Sequence, residues 1–391
     1  MDAFYVGGVQ AAKRARRNKD KDDAIKRRKL VAATKPSSGL GVVTSAPVVT
    51  LCSGIEAVIQ GYEQLKVIHV HAVACEIDKA TRETLLHNFK PQKMFVDLRQ
   101  LHPSDLPRDA ILWAGFPCQP FSAEGPQDGP ETERGLLIVH IMHLIKERQP
   151  VAFVLENVKG LVTHFKDFFE DILAVLRSFK HGGRFYNVEY RILDTKFLGI
   201  PQSRPRLYIV GIRSDRQDTQ MHWPVHHNTP CMGILKCMDD ACTLSRAALM
   251  RKRPPTTQSH ANKMYDAAIK KISDGGKDPF KHPFVLDLDA RSETPAYMEG
   301  ISPCLTKTRA MSSGHWITTH GRRFSTRELL RLQSMDPDRL QKPADVSGRL
   351  FNGMVGNSMS INVIKTVILM IGRSAPSIID VRGLKDKWSL A

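Results

Sequence analysis

From residue 46 onward, short apolar runs alternate with longer segments of helical character. Apolar runs without an alternating polar face are typical of strands that are buried on both sides. Helices between such strands are the usual crossover connections of a parallel sheet. The sequence therefore predicts an α/β fold with a doubly wound, mostly parallel sheet. Strands are predicted near residues 47–51, 70–75, 111–114, 151–155, 186–193 and 206–212, and helices near 55–65, 78–89, 134–147 and 163–179.

A thiol and a carboxyl follow two of these predicted strands. Cys118 lies between two prolines soon after the run 111–114, and Glu156 and Asn157 follow the run 151–155. Prolines restrict the backbone, so Cys118 is predicted on a rigid loop. In open α/β sheets, ligands bind at the carboxyl ends of the strands. A nucleophile and an acid at this edge can act on one substrate, which indicates an enzyme.

A glycine loop follows the first predicted strand. Gly54 fits a tight turn from strand to helix, where backbone N–H groups face a ligand. Glu76 ends the second strand about 20 residues later, at a position suited to bind ribose hydroxyls. Asp97, after the next apolar piece, is placed to accept a hydrogen bond from an adenine amino group. These features indicate a Rossmann-like nucleotide site.

Eight segments resemble the cytosine-C5 DNA methyltransferases that use S-adenosylmethionine. The resemblance covers residues 47–372 with a gap at 213–300. The matching segments, in the family's order, are 50–57, 74–78, 96–98, 117–119, 156–158, 202–206, 327–333 and 356–358. One such segment would be a weak signal, but eight in order are specific.

The resemblance implies a role for each matching residue. It makes Cys118 the nucleophile that adds to C6 of a flipped cytosine, and Glu156 the acid at N3. The remaining implied catalytic residues are Asn157, which orients the cysteine loop, and Arg204 and Arg206, which hold the ring and neutralise the adduct. A structural ion pair is the alternative role for Arg204 or Arg206. S-adenosylmethionine contacts are implied at Leu51, Cys52, Ser53, Gly54, Ile55, Glu76, Ile77, Asp97, Leu98, Gly115, Pro117, Asn357 and Ser358. DNA contacts are implied at Gln119, Ser122 and Gln202, and the polar segment 122–135 is a candidate lid over the flipped base.

The first loop departs from the family pattern at two places. Cys52 stands where the family usually has an aromatic residue, which removes one stacking surface for adenine. Glu56 and Ala57 stand where it usually has a second glycine pair. The form Cys-Ser-Gly-Ile-Glu-Ala is similar to a subgroup of bacterial and phage enzymes, so we interpret the loop as a functional variant.

Composition suits an enzyme that acts on nucleic acid inside the cell. The net charge of +17 favours a polyanionic partner, predicted to be double-stranded DNA. Seven cysteines, an odd number without framework spacing, predict reduced thiols. No apolar run near 18 residues and no hydrophobic leader is evident, so no membrane span or secretory signal is predicted.

Part of the positive charge is concentrated at the N-terminus. Residues 1–46 contain 11 Lys or Arg against 4 Asp, a net charge of 11 − 4 = +7, which leaves +10 for the rest. Such a charged segment with few large apolar residues is predicted to be disordered. Its basic clusters at 13–17 and 26–29 either form a nuclear-import signal or an arm that adds non-specific DNA affinity. The predicted location is the nucleus, or the cytoplasm if the source is prokaryotic or viral.

The changes in composition predict four units: a basic tail at 1–46, a catalytic and cofactor-binding domain at 47–212, a smaller irregular target-recognition domain at 213–304, and a C-terminal return to the catalytic domain at 305–391. The stretch 213–300 shows no sustained helical period. In the C-terminal unit, a helix capped by Thr326 and a second helix at 361–371 are predicted.

The recognition domain also contains candidate ligands for a zinc ion. They are His226, His227, Cys231, Cys237 and Cys242. Their spacing is irregular and contains no Cys-x-x-Cys pair, so no metal is predicted.

Two alternative functions remain open at this point. The residues 304–306, Cys-Leu-Thr, match imperfectly the Cys-Phe-Thr of tRNA cytosine methyltransferases with the same fold. Against that reading, segments 117–122 and 202–206 are closer to the DNA enzymes. A catalytically silent DNA-binding homologue is the other alternative, but it would be expected to lack Cys118, Glu156 or the cofactor acids, and all are present.

Overall fold

The computed structural model describes residues 46–117, 132, 135–224, 233–241, 243–291 and 294–384. In this part of the chain, eight strands form one large sheet. They are β1 Val48–Leu51, β2 His71–Cys75, β3 Lys93–Phe95, β4 Ile111–Gly115, β5 Ala152–Val158, β6 Lys180–His181, β7 Arg184–Asp194 and β8 Pro205–Arg213. Their order is β3-β2-β1-β4-β5-β8-β7-β6. Strands β1 to β5 pair in parallel and β6 to β8 join antiparallel, so the predicted mostly parallel α/β sheet is confirmed.

Helices cover both faces of this sheet. The first five are α1 Ala57–Gln64, α2 Lys79–Asn88, α3 Leu137–Arg148, α4 Gly160–His164 and α5 Lys166–Ser178. Alternate residues of one strand enter opposite cores: Ile111 and Trp113 pack on the α1 side, and Leu112 and Ala114 on the side of α3 and α5. Burial on both faces explains why the strands read as continuous apolar runs. Short 3₁₀ helices cover Leu98–Gln100, Pro103–Asp105, Thr195–Leu198 and Ile234–Cys237.

A smaller antiparallel sheet follows the large one in sequence. Its strands are β9 Phe284–Asp287, β10 Ala296–Glu299, β11 Trp316–Ile317 and β12 Arg322–Arg323, in the order β10-β9-β11-β12. Two helices precede it, α6 Arg246–Arg251 and α7 Ser259–Asp274. The sheet joins strands from both sides of residue 304, where the sequence predicts a domain boundary.

Helix α7 corrects the expectation that residues 213–300 lack a helical period. Its buried residues are Ala261, Met264, Tyr265, Ala268 and Ile272, spaced as one face of a helix. Two of the five are alanines and several lysines lie between them, so the apolar stripe is weak in sequence. These side chains pack with the small sheet into a separate core.

The C-terminal segment returns to the large sheet. Its helices are α8 Lys307–Met311, α9 Thr326–Leu332, α10 Gly348–Asn357 and α11 Ile361–Ser374. Ser325, and not Thr326 as predicted, caps α9, in a capping box with Glu328. Helix α11 packs closely on α1, since a Cβ atom on Gly61 would lie 2.8 Å from Ile364 Cγ2.

One stretch of the described chain, Gly348–Ser374, is long and apolar enough to span a membrane by length and composition alone. It consists of α10 and α11, and 89% of its most apolar 18-residue window is buried inside the protein. The core helices of a water-soluble protein meet the same criterion, so the stretch is weak support for a membrane span.

Candidate active site

Several segments meet at the carboxyl edge of the parallel strands. In the strand register, Gly115 of β4 lies beside Glu156 of β5. A Cβ atom on Gly115 would lie 3.5 Å from Glu156 Oε2, 3.1 Å from Met359 Cε and 4.0 Å from the carbonyl oxygen of Cys52. The first loop, two strand ends and the C-terminal segment therefore surround one site, at the edge where open α/β sheets bind ligands.

The loop after β1 has an unusual backbone. Cys52, Gly54 and Glu56 all have left-handed conformations, with φ of 53°, 57° and 59°. For a residue other than glycine this costs about 1–2 kcal/mol, so the loop must be held by other contacts. Ser53 provides two of them, because its N–H donates to the Cys75 carbonyl at 3.0 Å and its Oγ accepts from Cys75 N–H at 3.2 Å. The loop is thereby fastened to the end of β2.

Glu76 at the end of β2 lies against this loop. Its Oε2 accepts from Gly54 N–H and its Oε1 from Asp78 N–H, both at 2.9 Å. Burial raises the pKa of Glu76, although these two hydrogen bonds oppose the shift. A carboxylate offers about four acceptor positions, so positions remain for two ribose hydroxyls. A Cβ on Gly54 would meet no atom within 4 Å, so there is open space beside the loop for a ligand.

Two further predicted cofactor residues follow the ends of strands β2 and β3. Ile77 is 64% exposed, an unusual state for a large apolar side chain. Asp97 caps the short helix Leu98–Gln100 and accepts hydrogen bonds from Arg99. Burial raises the pKa of Asp97, but the Arg99 hydrogen bonds outweigh it and leave the pKa below its usual value. Asp97 is therefore held as an acceptor.

Three predicted cofactor residues have side chains that point into the core. Leu51, Ile55 and Leu98 are all buried, Ile55 on the α1 side of the sheet and the other two on the opposite side. A cofactor contact at these three positions stays a prediction.

Glu156 has the environment expected of a proton donor. Arg206 Nε lies 3.4 Å from Glu156 Oε1, and the two residues are diagonal neighbours on the antiparallel strands β5 and β8. Burial raises the pKa of Glu156, and the charges of Arg206 and Arg204 only partly offset this. A carboxyl with a raised pKa can carry a proton near neutral pH.

Asn157 holds the chain that leads to the cysteine loop. This buried side chain donates from Nδ2 to the carbonyl oxygen of Phe116 at 3.2 Å, and accepts at Oδ1 from Val158 N–H at 2.8 Å. Pro117 follows at the end of the described segment. Three predicted site residues, Cys118, Gln119 and Ser122, lie outside the described residues, as does most of the candidate lid 122–135.

Arg204 is committed to backbone carbonyls. Its Nη1 donates to Leu305 O at 2.7 Å, and its Nη2 donates to Ser358 O at 2.7 Å and Gly356 O at 3.2 Å. The guanidinium is buried and binds two segments that lie more than 100 residues further along the chain. This corrects the expectation that Arg204 holds the substrate ring: the geometry gives it a positioning role.

Gln202 is also a structural residue. It is 0% exposed, and its side chain donates to Leu332 O at 2.7 Å and accepts from Leu305 N–H at 2.9 Å. Because no atom of this side chain reaches the surface, the predicted DNA contact at Gln202 is wrong. The Gln-x-Arg-x-Arg element thus contributes two residues to internal bracing, and Arg206 alone faces Glu156.

The predicted closing residues of the cofactor pocket differ in exposure. Asn357 is exposed. Ser358 is buried and its Oγ donates to Val355 O at 2.8 Å. The carbonyl oxygen of Ser358 accepts a hydrogen bond from Arg204, which anchors this segment next to the site.

No group of three His, Cys, Asp or Glu that could hold a metal occurs among the residues the structure describes. Of the five residues weighed as zinc ligands, Cys237 is described and is buried. The other four, His226, His227, Cys231 and Cys242, fall outside the described ranges, so the absence of zinc stays a prediction.

Sequence reasoning missed two groups at the site. Cys304 Sγ lies 3.7 Å from both Arg204 Nη1 and Arg206 Nη2, and the side chain of Met359 reaches Gly115. In the sequence, Cys304 belongs only to the imperfect Cys-Leu-Thr match at 304–306, and Met359 belongs to no matching segment, so only the fold reveals their contacts at the site. Glu56 was noticed as a departure from the family pattern, but its contacts, described below, were not anticipated.

Comparison with known proteins agrees with this geometry. A family model described as C-5 cytosine-specific DNA methylase matches residues 47–373. The type II methyltransferase M.NgoBI of Neisseria gonorrhoeae is 32% identical over 327 residues, which are 81% of this chain and 90% of that protein. The orphan methyltransferase M.SPRI of Bacillus phage SPR is 37% identical over 170 residues, 43% of this chain and 38% of that protein.

Solved structures show the same fold at lower identity. The Entamoeba histolytica methyltransferase EhMeth aligns with a TM-score of 0.58 at 16% identity, covering 84% of this chain and 98% of its own. The S. pombe Dnmt2 methyltransferase aligns with a TM-score of 0.55 at 15% identity, covering 84% and 99%. At such identities the likeness concerns the fold alone.

Proposed function

The chain belongs to the C-5 cytosine-specific DNA methylase family, and on that premise we propose that Cys118 attacks C6 of a cytosine that has left the DNA helix. As a member of this family, the protein is an S-adenosylmethionine-dependent enzyme that methylates C5 of cytosine in DNA. The covalent route, the flipped base and the role of each residue are the proposal.

The proposed route needs a nucleophile and a proton donor on one ring. The Cys118 thiolate adds to C6 while Glu156 gives its proton to N3, which makes C5 enamine-like. S-adenosylmethionine, when bound, would supply an electrophilic methyl group: the C5 electron pair takes the methyl group as its bond to sulfur breaks, and S-adenosylhomocysteine is the leaving group. Loss of the C5 proton to a base, departure of the Cys118 thiolate from C6 and return of the N3 proton to Glu156 restore the ring.

The observation that carries this proposal is the environment of Glu156. Its carboxyl is buried, has a raised pKa, and lies beside Arg206 at the end of a strand whose neighbour leads directly to Cys118. Arg206 is placed to stabilise negative charge that develops on the ring during addition. Asn157 fixes Phe116, two residues before the nucleophile, and thereby limits where the thiol can lie.

The pocket beside the first loop fits S-adenosylmethionine. Glu76 retains acceptor positions for ribose hydroxyls, Asp97 is held as an acceptor for the adenine amino group, and exposed Ile77 offers an apolar surface to the base. The backbone of Gly54 borders the open space. These groups bind and orient; they take no part in bond making.

Double-stranded DNA is the proposed form of the substrate. The net charge of +17 suits a phosphate backbone, and readout is assigned to the segment near 225–320. The proposed division into a tail, a catalytic body, a recognition domain and a C-terminal return follows the predicted boundaries. The two sequence relatives M.NgoBI and M.SPRI come from a bacterium and a phage, which is consistent with a cytoplasmic enzyme and gives nuclear import no support.

The test of the covalent route is a trapping experiment. DNA that contains 5-fluorocytosine should form a stable adduct with the wild-type enzyme, because fluorine blocks loss of the C5 substituent. Cys118→Ala should form no adduct and transfer no methyl group, yet bind S-adenosylmethionine with unchanged affinity. Methyl transfer by Cys118→Ala would eliminate the proposed route.

A further inference from the structure

A buried polar cluster lies beneath the first loop, and no step of the proposed mechanism uses it. Glu56 is fully buried, and its Oε1 accepts a hydrogen bond from Thr50 Oγ1 at 2.8 Å. His71 Nε2 lies 3.1 Å from Thr50 Oγ1 and 3.4 Å from Glu56 Oε1. We call Thr50, Glu56 and His71 the loop brace. A buried carboxyl is costly unless paired, so these contacts constrain where Glu56 can lie.

The loop brace is connected to the proposed cofactor pocket. Ser53 Oγ donates to Thr50 O at 2.8 Å and lies 3.0 Å from Thr50 Oγ1. The next residue, Gly54, donates its N–H to Glu76, the proposed ribose ligand. A continuous chain of hydrogen bonds and one peptide step therefore leads from the carboxyl of Glu56 to the carboxyl of Glu76.

The backbone conformation of Glu56 explains why the first loop needs the loop brace. With φ of 59°, Glu56 occupies a conformation that glycine adopts freely and other residues avoid. Such a conformation persists only when surrounding contacts over-determine it. The glutamate side chain supplies these contacts through Oε1. In the described part of the chain, the other oxygen, Glu56 Oε2, and the other ring nitrogen, His71 Nδ1, have no hydrogen-bond partner.

We propose that Glu56 is a positioning residue for S-adenosylmethionine: its carboxyl, held by Thr50 and His71, locks the first loop in the shape that binds the cofactor. A glycine could adopt this conformation but would not be confined to it, so the side-chain anchor is what fixes the shape of the loop. The inference rests on the proposed location of the cofactor pocket.

Calorimetric titration of S-adenosylmethionine into Glu56 variants of the full chain tests the inference. Glu56→Ala removes the anchor and keeps a Cβ in the left-handed backbone, whereas Glu56→Gly removes the anchor and relieves the backbone. Both should bind about tenfold more weakly, since each loses the charge-assisted contacts to Thr50 and His71. Glu56→Gln, which retains an acceptor for Thr50, should stay within about threefold of the wild type.

The effect should appear in cofactor binding and not in the chemical step. At saturating cofactor, kcat of each variant should remain within about threefold of the wild type, while KM for the cofactor rises. If Glu56→Ala does not fold, Thr50→Val, which removes the central hydroxyl at nearly constant volume, should show the same weakened binding. His71→Ala should add little to the effect of Glu56→Ala, because both substitutions break one network.

A matched control distinguishes positioning from general loss of stability. Tyr186→Phe removes another buried hydrogen bond, from Tyr186 Oη to Pro150 O at 2.7 Å, at the opposite end of the sheet. It should lower the melting temperature and leave cofactor affinity unchanged. Wild-type affinity in Glu56→Gly would overturn the inference, because the anchor would then be dispensable.

The affinity of a Glu76 variant for S-adenosylmethionine would show whether the cofactor pocket itself is wrongly placed. Glu76→Ala should weaken S-adenosylmethionine binding about 10- to 150-fold through loss of a charge-assisted contact. Unchanged affinity in Glu76→Ala would show that the pocket is misplaced. Weakened binding in Glu76→Ala together with normal binding in Glu56→Gly would reject the brace alone.

Discussion

At the scale of single residues, burial and the neighbouring arginine have opposite effects on the pKa of the proposed acid, Glu156. Burial drives the pKa of Glu156 upward, and the positive charge of Arg206 pulls it down again. The net shift is upward, so the proton is retained into a higher pH range than in a free glutamate. Activity that requires protonated Glu156 should therefore fall as pH rises through this raised pKa.

Removing the charge of Arg206 should move that limit. Arg206→Met keeps much of the side-chain volume but takes away the group that lowers the Glu156 pKa, so the alkaline limb of the kcat profile should shift to higher pH. The overall rate should drop as well, because charge on the ring is less stabilised. Profiles of kcat against pH for the two proteins measure the shift. An alkaline limb that moves to lower pH would assign it to another group.

At this scale, the sequence predicts some features of the site and not others. The place of Glu156 near the end of a buried strand was predictable from the apolar run before it, but β5 extends to Val158 and so includes Glu156 and Asn157, which were predicted to follow the strand. The separate fates of Gln202 and Arg204 were not predictable, since both bind backbone atoms that lie at least 100 residues away in sequence. Spacing reveals which residues recur together but not which of them faces the substrate.

At the scale of elements, the site depends on close contact between two C-terminal helices. A Cβ atom on Gly356 of α10 would lie 2.4 Å from Thr306 O and 2.6 Å from Ala310 Cβ. The first of these is a backbone atom and cannot move aside easily. The contact also sets the carbonyl of Gly356 that receives Arg204, so packing and site geometry are joined at this glycine.

Gly356→Ala should therefore destabilise the protein by about 1–3 kcal/mol through overpacking. Gly348→Ala is the matched control, because it lies in the same helix and its Cβ would meet no atom within 4 Å. It should be neutral or slightly stabilising, since alanine favours helix. Urea unfolding followed by circular dichroism compares the two, and equal midpoints would refute the packing argument.

A buried histidine beside the small sheet should make the stability of the protein depend on pH. His315, next to β11, is buried, and burial lowers its pKa to about 4. Neither ring nitrogen has a hydrogen-bond partner among the described residues. The unfolded chain binds a proton near pH 6.5 and the folded chain near 4, so this contribution is complete above 6.5 and is lost as pH falls toward 4.

His315→Gln should make stability less dependent on pH in that window. Between pH 7.5 and 5, His315 should account for about 2 kcal/mol of the wild-type loss, by linkage with the two pKa values. The glutamine variant, although less stable at pH 7.5, should lose less over the same interval. Thermal unfolding at the two pH values checks this, and parallel losses in both proteins would exclude His315 as the source.

At the scale of the whole molecule, charge is divided between tail and body. Residues 1–46 carry a net charge of +7 and the rest of the chain +10, so neither part alone accounts for the basicity. A dense basic segment is suited to phosphate contacts, which carry no sequence information. The body should thus determine which cytosines are methylated.

Deletion of residues 1–40 should lower DNA affinity and flatten its salt dependence. Each lost phosphate contact should reduce the slope of log K against log salt by about 0.9. The set of methylated sites should stay the same, and binding should persist at low salt. Titrations across salt concentrations and bisulfite sequencing measure both. A changed set of sites would move specificity into the tail.

Predictability also differs across the molecule. Six of the eight strands of the large sheet were predicted, most of them as continuous apolar runs, as in Ile111–Gly115 and Ala152–Val158. Strands β3 and β6 were missed, because they are two or three residues long and are not buried. Strands β11 and β12 have two residues each, too few to show any period. Strand β11 pairs with β9, and β12 pairs with β11. Both strands therefore depend on tertiary contacts and not on a local sequence pattern.

The packing of α11 on α1 has a consequence for biosynthesis. The sheet face that α1 shares with α11 is complete only when Ser374 has been made, about 160 residues after the last strand of the large sheet. At about 5–20 residues per second, that interval lasts roughly 8–32 s on the ribosome. Throughout it, the apolar surface around Gly61 lacks the cover that α11 provides, so we expect the nascent chain to be prone to aggregation during the same seconds in which its recognition segment is translated.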